Sequence, residues 1–144
     1  MGFQDRLDSI IDEYLNEVDR KNMLGVSILI PGQLQNFWIT NYNFLCFTHG
    51  SDFSLAIHFS LKQKGKKDKK SLQIVESTKC FNNFIRQVEG KNSLGFIKSF
   101  DANKKGIIET VNCIVEKLYP KIDSDDIKLI LERRTFFTLR DELK

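Results

Sequence analysis

His58 sits on the polar side of the clearest alternating run in the chain. That run places Phe53, Leu55, Ile57, Phe59 and Leu61 on one face, and Ser54, Ala56, His58, Ser60 and Lys62 on the other. A histidine among hydroxyls has the chemistry of a general base, but a base needs an orienting acid, and no Asp or Glu lies within four residues of it. The expectation is an ordinary strand histidine. Cys46 and His49 have the Cys-x-x-His spacing of a zinc half-site, yet the remaining soft ligands, Cys80, Cys113 and His58, are each isolated along the sequence. No metal is expected, and the three cysteines read as reduced, mostly buried thiols.

Asp123-Ser124-Asp125-Asp126 concentrates carboxylates that could hold magnesium, but at a helix start the same residues cap orphan N–H groups, and capping is expected here. An endonuclease pattern fails by one residue at Glu76-Ser77-Thr78-Lys79. Gly90, Gly95 and Gly106 are single, so no glycine-rich phosphate loop exists, and there is no Gly-x-Ser-x-Gly elbow. The chain is accordingly read as non-enzymatic, with no catalytic residue and no cofactor.

The strongest local feature is a run of charge. Lys62, Lys64, Lys66, Lys67, Lys69 and Lys70, with Asp68 the one acid among them, hold more positive charge than the net +3 of all 144 residues. The basic balance therefore belongs to one segment, read as the tip of a hairpin. It contains no aromatic residue to stack on a base and no Arg to read guanine, so nucleic-acid binding there would be weak and blind to sequence. An acidic protein partner fits it better than a polyanion does.

The elements needed to position these residues follow from periodicity. Phe3, Leu7, Ile10, Ile11, Tyr14 and Val18 predict a helix over residues 3–20 with an acidic outer stripe. Short extended runs follow at 26–30, closed by Pro31-Gly32, then at 36–40 and 44–48, with the alternating strand 53–61 after them. Leu72–Glu76 is expected to return as the hairpin partner of that strand. Phe81, Phe84, Ile85 and Val88 fit one helix face ending near Gly90, and 94–100 reads as a strand. Asp101-Ala102-Asn103 offers N-cap chemistry for an amphipathic helix that Pro120 stops, a shorter helix should carry Ile127, Ile130 and Leu131, and residues 135–144 fit either a strand or a helix.

Together these predict one α+β domain spanning 1–144: an antiparallel meander sheet of about five to six strands, packed by an N-terminal helix and C-terminal helices. Twelve Phe against one Trp agree with a sheet-built core. No apolar run approaches the ~20 residues that span a bilayer, and the first residues fit neither a signal peptide nor a myristoylation signal, so a cytoplasmic location is expected.

What remains is a protein-binding module without chemistry of its own, using the lysine run and the spare aromatics, with Trp38 and His58 as further candidate contacts. Its size and architecture are those of small bacterial immunity proteins that bind and neutralise a cognate toxin, and a toxin domain is the expected partner. A secretion chaperone is the other form of this reading; it would be acidic and dimeric, and neither strong acidity nor a heptad seam is present. A sequence-independent nucleic-acid-associated protein working through Lys62–Lys70 is the second reading, and an enzyme using His58 with an acid brought to it by the fold is the third.

Overall fold

The computed structural model describes residues 2–18, 22–33, 37–41, 55–100 and 103–135. Helix α1 (Phe3–Glu17) forms because Phe3, Leu7, Ile11 and Tyr14, spaced by four, four and three, fall on one stripe, and all four are buried. It ends at Val18, whose extended backbone leaves the helix while its N–H still donates to the Tyr14 carbonyl.

Six strands follow the expected chemistry only in part. They are β1 (Asn22–Leu29), β2 (Phe37–Thr40), β3 (Leu55–Lys62), β4 (Ile85–Gly90), β5 (Ser93–Phe100) and β6 (Lys128–Thr135), in the order β4-β5-β3-β2-β1-β6 with every pairing antiparallel. Among the described residues the other helices are α2 (Lys66–Ser77) and α3 (Lys104–Leu118), with single 3₁₀ turns at Lys79–Phe81 and Ser124–Asp126. The architecture is α+β, as expected. The meander holds for β1 to β3 alone, since β5 inserts beside β3 and β6 returns to β1.

The register divides the side chains into two faces. Val26 lies opposite Ile39, Ile39 opposite Ile57, Phe37 opposite Phe59, and Phe59 opposite Phe96. These residues merge with Leu7, Ile11, Ile107, Val111 and Ile114 of the helices into one core. Helix α1 packs on β1, β6 and α3, and α2 packs on β3 and α3. Phe59 makes aromatic contacts with Phe81, Phe84 and Phe96, so most of the described phenylalanines belong to the core. The opposite face carries a transverse row through all six strands: Ile85, Ile97, His58, Trp38, Ser27 and Ile130.

Three expected elements differ. Leu72–Glu76 is not a strand but the second half of α2, and the partners of β3 are β2 and β5. The helix wins because Asp68 accepts from the backbone N–H groups of Lys64 (2.7 Å) and Gly65 (3.0 Å), fixing its first turn. The expected helix through Phe81 and Val88 is instead a 3₁₀ turn followed by β4. Asn83, at φ 73°, breaks any continuous helix there, and asparagine tolerates that left-handed conformation better than most residues. The short helix of Ile127, Ile130 and Leu131 is β6, in which Leu129 and Leu131 pack against the core and Ile130 points to the other face. The expected strand 44–48, Cys46, His49 and residues 136–144 lie outside the described residues.

Candidate binding surface

Asp68 organises the basic segment. Its carboxylate is taken up by the two amides at the start of α2, so it neutralises the helix terminus. The lysines around it stay outward. Lys62 ends β3, Lys64 precedes the helix, and Lys66, Lys69 and Lys70 stand on its solvent side, all exposed and without an ion pair among the described residues. Lys67 is in the first turn, and its side chain lies outside the described residues. The segment is thus a helix start on a strand end, not a hairpin tip. Gln63, Lys64, Gly65, Lys66 and Lys69 surround a concavity of about 310 Å³.

The acidic stripe of α1 is treated differently. Lys104 Nζ lies 2.8 Å from a carboxylate oxygen of both Asp8 and Asp12. Arg133 donates through Nε and Nη2 to the two oxygens of Glu17 (2.8 and 2.7 Å) and through Nη2 to Glu13 (3.2 Å). These contacts hold the Glu17 carboxyl below its ordinary range, chiefly through the Arg133 hydrogen bonds, and raise Lys104, chiefly through Asp12 and then Asp8. Four acids of α1 are matched internally. The Lys62–Lys70 charge is not.

Beside the lysines a cleft of about 260 Å³ opens at one end of the sandwich. The buried Ile30, Phe37 and Leu61 line it together with Leu118 and Tyr119. Burial raises the Tyr119 phenol above its ordinary pKa. Gln33, Ser60, Lys62, Asp68, Ser71 and Ser93 supply the polar part of the lining. Sequence reasoning misses this cleft because it is where the ends of β1 and β3, the starts of β2 and β5, and two helix ends converge. No local pattern signals that meeting.

Trp38 and His58 are brought together on the sheet face without helices. They are opposite each other in the β2–β3 ladder and their rings stack, with centroids 4.2 Å apart. His58 is only 5% exposed, and its cross-strand neighbours are Trp38 and Ile97. The structure gives it a packing role. Its strand neighbours supply no acid, and it opens onto neither of the two concavities around the lysines. Neither Trp38 nor His58 lies beside those lysines, so the residues singled out from the sequence fall into two separate groups.

The carboxylates near the second 3₁₀ turn behave as caps: Asp123 accepts from the Asp125 N–H (3.0 Å), while Arg6 donates to the carbonyls of Ile127 (2.7 Å) and Ser124 (3.2 Å). Glu76 lies in α2 and pairs with Arg86 (3.4 Å), leaving no strand-borne acid at the place the nuclease pattern would need one. Cys80 and Cys113 are joined in a disulfide that ties the turn after α2 to the middle of α3, with Cα atoms 6.6 Å apart. This corrects the expectation of free thiols: 33 residues separate the two in sequence, and only the packing of α2 against α3 brings them together.

Among the described residues, no group of three or more His, Cys, Asp or Glu is placed to hold a metal, and no helix is long and apolar enough to cross a membrane. The chain matches no protein-family model, no curated protein and no solved structure.

Proposed function

We propose that this chain is a non-catalytic protein-binding module, in its most specific form a small bacterial immunity protein that binds and neutralises a cognate toxin. The observation that carries the reading is the unequal treatment of charge. Four acids of α1 are paired with Lys104 and Arg133, while five exposed lysines gathered at one corner around Asp68 make no ion pair among the described residues. A cluster of like charges at one corner steers an oppositely charged partner and sets its orientation. The Cys80–Cys113 bond bears on location. A cytoplasmic inhibitor would work with the pair reduced, and neither cysteine belongs to the basic corner, so binding there is compatible with both states.

Co-expression with the product of the adjoining gene tests this reading. The expected result is a toxic product, rescue of growth by this chain, and a complex that survives purification. A harmless product that forms no complex would overturn the immunity assignment. Charge reversal of Lys64, Lys66 and Lys69 to Glu should slow association more than it lowers thermal stability. Unchanged on-rates would remove the lysines from the interface.

A further inference from the structure

The lysine concavity and the apolar cleft are two halves of one surface. Lys62 and Asp68 line the cleft, their sequence neighbours Gln63 and Lys69 line the concavity, and Gln63 Nε2 reaches the Asp68 carbonyl across the boundary (3.5 Å). Exposed cationic side chains thus stand beside an opening lined in part by buried Ile30, Phe37 and Leu61. Its volume decides what enters. Small-molecule sites run to roughly 300–1,000 Å³, and about 260 Å³ is below that range. The space suits one large side chain.

We propose that an acidic segment of a partner protein docks here, setting one large apolar side chain into the cleft and its carboxylates against Lys62, Lys64, Lys66 and Lys69. The proposal rests on the protein-binding reading above and names the partner's chemistry. Charge complementarity selects the acidic segment, and the apolar part of the lining selects the anchor. A nucleic acid fits less well. Among the described residues the corner has no Arg and no exposed aromatic, and the buried apolar residues of the cleft offer a phosphodiester nothing.

Fluorescence anisotropy of the full chain with three labelled probes tests this. The probes are a dozen-residue Asp/Glu peptide with a central Phe, the same peptide with Ala there, and a short DNA duplex. Burying the anchor should make the Phe peptide bind roughly ten-fold tighter than the Ala peptide. The triple variant Lys64→Glu, Lys66→Glu, Lys69→Glu should lose both. Ser71→Trp, which fills the cleft, should erase the ten-fold difference and leave salt-sensitive binding of both peptides; if it does not fold, Ser93→Trp in the same lining replaces it. Equal affinity of the two peptides for the wild-type chain overturns the proposal, as does no peptide binding at low salt, or duplex binding tighter than both. If a cleft-filled variant still neutralises the adjoining gene's product, the inference falls while the protein-binding reading stands. Failure of the wild-type chain to bind that product removes the reading beneath it.

Discussion

Trp38 and His58 face each other across the β2–β3 ladder with ring planes 20° apart and centroids 4.2 Å apart. The pair occupies the middle of the row that crosses the sheet, beside the buried Ile97. Stacked aromatic pairs contribute about 0.5–1.5 kcal/mol beyond the area they bury. A double-mutant cycle with Trp38→Leu and His58→Leu should therefore return a coupling in that range, read from urea midpoints by far-UV circular dichroism. Strictly additive losses would mean that the two rings are neighbours without an interaction.

The Cys80–Cys113 bond closes a loop of 33 residues that contains β4 and β5. Restricting the unfolded chain over that length is worth about 3–4 kcal/mol in the loop-entropy description. The Cys80→Ala, Cys113→Ala variant should lose that much in urea unfolding, and the reduced wild-type chain should resemble it. A reduced protein as stable as the oxidised one would assign the bond no role in holding the fold.

Tyr14 is fully buried against the sheet, and its hydroxyl has no hydrogen-bond partner among the described residues. An unsatisfied buried hydroxyl costs about 1–3 kcal/mol. Tyr14→Phe removes the hydroxyl and keeps the ring, so it should raise the melting temperature. Burial also pushes the phenol well above its ordinary 10.0. Above pH 10 the unfolded chain releases this proton and the folded chain keeps it, so stability falls as pH rises toward the folded value. The variant should lose less stability than the wild type between pH 10 and 11.

Glu17 supplies the opposite limb of the pH profile. Its carboxyl is held below the ordinary 4.5 by Arg133, so its contribution is present above that value and disappears as pH falls through the lower folded one. The pair is exposed and screened, so the effect on stability is small and is read better by titration. In Arg133→Gln the NMR midpoint of Glu17 should move up toward 4.5. An unmoved midpoint would mean that the contact is not held in solution.

The fold was legible where one periodicity stood unopposed. Phe3, Leu7, Ile11 and Tyr14 can form nothing but a helix stripe, and Leu55 through Lys62 nothing but a strand. Phe81, Phe84, Ile85 and Val88 mimic a helix because a turn and a strand in succession happen to carry apolar residues at three- and four-residue spacings. Only the left-handed Asn83 separates the two. Leu72–Glu76 is a short apolar run whose period is ambiguous, and the decision came from Asp68 four residues upstream of its start. At the candidate surface, the lysines could be named from sequence but not their arrangement. The cleft beside them is made of residues as distant as Ile30 and Tyr119, which no window along the chain can join.

The place of β6 sets the order in which the molecule can be completed. Asn22 is opposite Thr135 and Leu29 opposite Lys128, so β1 gains this neighbour only when the chain through Thr135 is available. Closing so long a loop costs entropy before any contact rewards it, and topologies of this kind fold slowly. During synthesis β1 emerges with one flank bare, an invitation to mispairing that ends only when β6 leaves the ribosome.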